Sequence, residues 1–212
     1  MPVRNVVRVS VADTHYHVYN RGHNKDLLFI DQEDYEFFQF LLQRCFGSEQ
    51  LKSHDGRAFP WFGDRVRLNA FCLMPNHFHL LLYQGEDEAS LSKAMQSLAT
   101  TYSMYFNKKH DRRGSVFESV FKSSIIMGDI YLQHITRYIH LNAKNYKQWE
   151  HSSYSDYQKI QSRAWVDTQP ILELFDNRQQ YLDFIDDYTE LHDQLSQLKH
   201  QLADYGQTYH TI

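Results

Sequence analysis

The chain has 212 residues, enough for one ordinary domain with an appendage and enough to bury a real core. Eight glycines and four prolines leave little room for long flexible linkers, and two cysteines (Cys45 and Cys72) make neither a disulfide framework nor a zinc spacing. The formal charge of −4 argues against a nucleic-acid partner only until it is divided: residues 1–147 carry +3 and residues 148–212 carry −7. The start of the chain lacks the apolar region of a signal peptide, and no apolar run reaches the roughly 20 residues of a membrane span. The expectation is a cytoplasmic protein with a mildly basic front part (1–147) and an acidic, mostly helical extension (148–212).

In chain order, Thr14–Asn20 alternates and is rich in β-formers, which predicts a strand. Asn20-Arg21-Gly22-His23-Asn24 is a turn. Asp31 or Gln32 opens a helix that runs to about Cys45, with acids in its first turn. Residues 47–63 are polar and irregular. Arg65–Cys72 reads as a strand, Leu73–Asn76 as a turn, and His77–Tyr83 as the returning strand. From Glu88 to Phe106 the apolar positions Leu91, Met95, Leu98, Tyr102 and Tyr105 follow helical spacing, a stripe that belongs to a core. Ser115–Met127 reads as a strand, with Val116, Val120 and Ile125 among its apolar positions. Asp129 then caps a helix over Ile130–Asn142. Beyond Trp149, Pro170–Phe175 and Tyr181–Leu202 read as helices, the second with Leu191, Leu195, Leu198 and Leu202 at helical spacing.

The order β-α-β-β-α-β plus one helix is the split βαβ signature. It predicts an α+β fold of ferredoxin-like or RRM-like kind: an antiparallel four-stranded sheet, two helices on one face, and the next helix on the other.

Two stretches carry chemistry. In Met74-Pro75-Asn76-His77-Phe78-His79-Leu80-Leu81-Leu82, the two histidines are two apart on a strand and project to one face, where paired imidazoles can hold one divalent ion. A polar strand edge is the plain alternative, and His15-Tyr16-His17 repeats the pattern. Leu81 in the next alternate position rules out the three-histidine pattern of nucleotide hydrolases. On the second stretch, Tyr131 to Asn142, residues 134, 138 and 142 share one helical face while Leu132, Ile135 and Ile139 share another. The first face offers His134, Tyr138 and Asn142. An amide oxygen suits a hard cation such as Mg²⁺ or Mn²⁺, and a tyrosine near a metal or a base can attack phosphorus. By spacing alone, Tyr138 reads first as one more half-buried aromatic among 15 tyrosines.

These two stretches together resemble the single-tyrosine HUH transposases of the insertion-sequence type, most closely the REP-associated tyrosine transposases. His77-Phe78-His79 is the His-hydrophobic-His motif. Further resemblance lies in Tyr16-His17-Val18-Tyr19-Asn20-Arg21-Gly22, in Gly114-Ser115-Val116-Phe117-Glu118 through Phe121-Lys122, and in Trp149-Glu150-His151-Ser152-Ser153-Tyr154. It covers about residues 14–160. It implies His77, His79 and Asn142 as metal ligands for Mg²⁺ or Mn²⁺, and Tyr138 as the nucleophile. It also implies cleavage and rejoining of single-stranded DNA at a hairpin through a 5′-phosphotyrosine.

Two places depart from the family pattern. Ala143 follows Asn142 where a proline is common, so the helix end is less constrained, and Ser115-Val116-Phe117-Glu118 stands where a Gln and a further basic residue are common. Candidate DNA contacts are Lys108, Lys109, Arg112 and Arg113 in the basic cluster, with Lys122 and Arg21. His134 and His17 are accessory candidates. The oligomeric state is left open between monomer and homodimer. The competing readings are a replication initiator or relaxase of the same chemistry, a non-catalytic nucleic-acid-binding module, and a phosphoesterase that uses water.

Overall fold

A computed structural model describes residues 11–187. Its elements are β1 (Thr14–Arg21), α1 (Gln32–Phe46), β2 (Val66–Met74), β3 (His77–Gln84), α2 (Ser90–Lys109), β4 (Lys122–Ile126), α3 (Asp129–His140), α4 (Tyr154–Tyr157), α5 (Gln169–Leu172) and α6 (Arg178–Asp186). The strands form one antiparallel sheet in the order β2-β3-β1-β4. This is the expected split βαβ arrangement. None of the described helices is long and apolar enough to cross a membrane.

Strand alternation divides the sheet into two faces. One sends Tyr16, Val18, Phe71, Leu73, Phe78, Leu80 and Leu82 into a core with Phe38, Leu41 and Leu42 of α1 and Leu91, Met95, Leu98 and Tyr102 of α2. The other sends Ala70, Cys72, Leu81 and Ile126 against Leu132, Ile135 and Ile139 of α3. A bulge between Leu68 and Ala70 of β2 inserts one residue, Asn69, so Leu68 and Phe71 reach the same core although they are three apart. Asn69 is wholly buried, and its amide donates to the Asp167 carbonyl.

The second core also contains Tyr154, Tyr157, Ile171, Tyr181 and Ile185, so the described part of the acidic extension packs on the back of α3. His140, fully buried, bridges Tyr181 Oη and Ser153 Oγ at 2.7 Å each. Burial pushes its pKa down to about 3, so the ring is neutral. Arg137 donates to the Phe184 carbonyl and lies 4.0 Å from the Phe184 ring. α3 is thereby held from both sides.

Three expectations need correction. The strand expected over Ser115–Met127 is confined to Lys122–Ile126. Before it, residues 116–119 cross the end of β1, where His23 N–H donates to Val116 O, Glu118 N–H to Arg21 O and Asn20 Nδ2 to Ser119 O. The ladder that pairs Tyr19 with Lys122 is thus broken over residues 118–121 before the Gly22–Phe117 bridge resumes pairing out of register, and Val120 is left exposed. Asp129 does not cap α3. Gly128 does, with φ +84, a conformation that suits glycine and turns the chain from β4 into the helix. α3 ends at His140 with Leu141 as its C-cap, so Asn142 lies just beyond the helix. Of the expected Tyr181–Leu202 helix, α6 accounts for the part up to Asp186; Leu191, Leu195, Leu198 and Leu202 lie outside the described residues.

Candidate metal and nucleophile centre

His77 begins β3, directly after the Pro75-Asn76 turn. That turn is fixed by its backbone: Leu28 N–H and Phe29 N–H both donate to Pro75 O, and Gly22 N–H donates to Asn76 O. Gly22 is required there, since a Cβ would stand 2.0 Å from the Asp26 carbonyl oxygen. His79 follows on the same face. The two rings are 5.2 Å apart, edge to face.

α3 brings its C-terminal end over this pair. The Tyr138 ring lies 5.4 Å from His79 and 5.9 Å from His17, both edge-on. His77 Nε2 is 2.9 Å from Asn142 Oδ1, and His77 Nδ1 is 2.7 Å from Asn76 Oδ1. The Asn76 amide nitrogen donates to Lys25 O, which directs its oxygen at His77. A neutral imidazole has one N–H to offer, so two facing oxygens leave one lone-pair contact that a cation relieves. Two donors about 2.1 Å from a single octahedral ion are about 3 Å apart, close to the Nε2–Oδ1 spacing.

Tyr138 is half-buried, and burial raises its pKa, while a hydrogen bond with Asn142 pulls the other way. His79 is 6% exposed and His17 1%. His17 Nε2 contacts His79 Nδ1 at 2.8 Å, and burial lowers the His17 pKa to about 3. Tyr19 stacks on His17 at 5.0 Å and lies 5.8 Å from His79.

The structure thus brings together His77, His79, Tyr138 and Asn142, with His17 beside them. His134 turns elsewhere: its Nδ1 meets the Arg137 guanidinium at 2.9 Å, and its ring packs on Phe184. The basic candidates divide in two. Arg21 is held bidentately by Glu118 at 2.5 and 2.6 Å, Lys109 by Asp31, Glu33 and Asp34, and Arg112 by Asp26 at 3.4 Å. Lys108, Arg113 and Lys122 form no ion pair among the described residues and are exposed. Sequence reasoning passed over Asn76 as the orienting partner of His77, although its place next to the motif was a signal. It also passed over Tyr19, whose approach to His79 follows from strand register, where the two are direct partners.

A second group with ligand chemistry, Asp31, Asp34 and His110, lies on the other side of the sheet at the start of α1. Its centre already holds a protein cation: Lys109 Nζ is 2.6 Å from Asp31 and 3.1 Å from Asp34. Asp31 and Asp34 also form the capping box of α1. Burial raises the Asp34 pKa, but bonds from Ile30 N–H, His110 and Lys109 outweigh it and keep the carboxylate ionised. Helix capping accounts for this group.

The class this defines is structural: an α+β split βαβ fold with a histidine pair on a central strand and a tyrosine-bearing helix over it. Residues 63–142 match the family described as Transposase IS200 like, a stretch that holds His77, His79, Tyr138 and Asn142. A solved structure of a REP-associated tyrosine transposase bound to a REP hairpin superposes with a TM-score of 0.56 at 13% identity, covering 79% of this chain and 94% of that one. A candidate transposase from Deinococcus radiodurans is 16% identical over 66% of this chain and 95% of that one, with a TM-score of 0.39. No curated protein matches the sequence. The resemblance drawn from the motifs is thus met at two levels: residues 63–142 are similar to the IS200-like transposases, and the chain shares the fold of a REP-associated tyrosine transposase.

Proposed function

We propose that the chain is a metal-dependent single-strand DNA endonuclease and strand transferase that acts on hairpin DNA through a covalent phosphotyrosine at Tyr138. The observation that carries this reading is the convergence of His77, Asn142 and His79 on the Tyr138 ring within one chain.

In this reading His77, His79 and Asn142 hold a divalent ion, Mg²⁺ or Mn²⁺, whose bound form supplies Lewis acidity toward the scissile phosphate. Tyr138 Oη attacks phosphorus in line with the departing 3′ oxygen. The Oη–P bond forms as the P–O3′ bond breaks, and the products are a 5′-phosphotyrosine and a free 3′-OH. The phenol proton passes to water as the bond forms, and the 3′ oxygen takes one up from water. Burial makes that proton hard to lose, and the hydrogen bond from Asn142 to the phenol oxygen offsets part of the cost. Rejoining runs the same steps backwards with a 3′-OH as attacker, so no external energy source is required.

Asn76 keeps His77 turned so that Nε2 faces Asn142. Lys108, Arg113 and Lys122 are the cations best placed to meet phosphates, since Arg21, Lys109 and Arg112 already have carboxylate partners. Residues 1–147 carry the chemistry in this reading, and the described part of 148–212 braces α3. A hairpin as substrate is the ligand of the structurally similar REP-associated enzyme.

The test is a covalent adduct on a denaturing gel between the protein and a single-stranded hairpin oligonucleotide in Mg²⁺ or Mn²⁺. Cleavage without an adduct would instead mark a phosphoesterase that uses water. An adduct of full yield in Tyr138→Phe would overturn the assignment of the nucleophile.

A further inference from the structure

His17 lies on β1 beside β3 and is sealed from solvent. Its ring is nearly parallel to that of His79, 14° apart with centroids 5.0 Å distant, and its Nε2 meets His79 Nδ1 at 2.8 Å. The other nitrogen, His17 Nδ1, is buried and has no hydrogen-bond partner among the described residues. The remaining rings around it are those of Tyr19 and Tyr138. The proposed chemistry gives this ring no part, yet it touches a proposed metal ligand more closely than any other side chain whose distance to His79 is described.

One proton lies between the two rings, and there are two ways to place it. If His17 Nε2–H donates, His17 Nδ1 is a bare lone pair, which tolerates burial. His79 then carries its own proton on Nε2. If His79 Nδ1–H donates, its Nε2 presents a lone pair to an ion, but His17 must carry its proton on the partnerless Nδ1. A buried N–H without an acceptor is the costlier arrangement. The first state therefore prevails without metal, and only the second can ligate one.

From this geometry we infer that His17 is a positioning residue that sets the tautomer of His79, and through it weakens the grip of the His77–His79–Asn142 set on a divalent cation. The inference rests on the metal reading given under Proposed function. The exchange balances: one proton leaves His79 Nε2, one passes from His17 Nε2 to His79 Nδ1, and one arrives from water at His17 Nδ1. Metal uptake at His79 thus proceeds with no net release of protons from the pair. The second ring nitrogen of a ligating histidine commonly decides which nitrogen is metallated. Here the partner is another histidine whose own second nitrogen has nowhere to put a proton.

Two variants separate positioning from mere packing. His17→Gln offers an amide oxygen to His79 Nδ1–H and has no orphaned ring nitrogen. His17→Phe keeps a ring but removes the acceptor. By titration of the protein with Mn²⁺ in the absence of DNA, His17→Gln is expected to bind severalfold more tightly than wild type. His17→Phe trades one acceptorless N–H for another in the metal-bound state and is expected to bind within about threefold of wild type. Equal weakening in both, or no change in either, overturns the inference.

Imidazole ¹⁵N spectra of the wild-type protein supply a check that no variant can spoil by misfolding. Without metal, His79 should be protonated at Nε2 and His17 at Nε2. With Mg²⁺, His79 should be protonated at Nδ1. A metal-free spectrum with His79 protonated at Nδ1 overturns the inference. Failure of the wild type to bind any metal would count against the metal reading itself. The metal-free spectrum would then decide alone whether His17 governs the His79 ring.

Discussion

The same three-residue pattern occurs twice in this chain, on strands that lie side by side. His15-Tyr16-His17 belongs to β1 and His77-Phe78-His79 to β3, and both pairs point to the α3 face of the sheet. Their surroundings differ. The β3 pair begins at a turn pinned by three backbone bonds, under the end of α3, where Tyr138 and Asn142 arrive. The β1 pair is divided: His17 reaches His79, while His15 packs against Tyr83 at the far end of the strand with its pKa lowered by burial. Spacing alone therefore does not make a ligand pair. What the opposing helix places above the rings does.

The largest expected effect breaks the favoured pair at its nucleophile. Tyr138→Phe should abolish the covalent adduct while leaving the thermal unfolding transition in place, because only one oxygen of a half-buried ring is lost. Next, His77→Ala or Asn142→Ala should lower metal-dependent cleavage by more than about a hundredfold, beyond the ten- to hundredfold usual for outer partners of a ligand. Asn76→Ala falls in that lower range, about ten- to a hundredfold in Mn²⁺ affinity, since it frees the His77 ring to turn. Single-turnover rates and metal titrations would rank these three, and an Asn76 effect as large as that of His77 would undo the distinction between ligand and orienting partner.

A fourth expectation concerns stability. His140 is neutral in the fold, with a pKa of about 3 against about 6.5 in the unfolded chain. The unfolded chain thus binds one more proton between those values. Its contribution to stability is intact above pH 6.5 and is lost as pH falls toward 3, by about 1.4 kcal/mol per pH unit. Denaturant midpoints measured between pH 7.5 and 5 should show this slope added to that of His17, whose pKa is also about 3, and His140→Gln should flatten the total by one proton. The smallest effect should come from His15→Gln, with adduct yield within about twofold of wild type. A loss comparable to that of His77→Ala would erase the contrast between the two pairs.

The architecture was legible because it rests on period. Alternation in β1 and β3 and the helical stripe of α2 carry through to the fold, and Leu132, Ile135 and Ile139 pack as their spacing requires. The residues brought together at the site were legible as two motifs, but their meeting depends on tertiary placement of α3 and could enter only through the family resemblance. Less visible was whatever depends on a partner distant in sequence. The charges of Arg21 and Lys109 can be read from the chain, yet their capture by Glu118 and by Asp31 and Asp34 cannot. Residues 115–121 are rich in β-formers, but a break in register between the Tyr19–Lys122 pair and the Gly22–Phe117 bridge keeps them out of the continuous ladder. The bulge at Asn69 likewise has no signature in the local alternation.

Asn142 and Tyr138 are carried by one short length of backbone at the end of α3, whereas both histidines are carried by the sheet. If that helix end swings off the sheet, the attacking oxygen and one of the proposed donors to the ion depart together. Under the proposed function this arrangement would be an interlock: withdrawing the nucleophile would also loosen the ion. On that proposal a retracted state would not keep a fully coordinated ion poised over DNA, and stray hydrolysis by water would be suppressed whenever no tyrosine stood ready to capture the cut end.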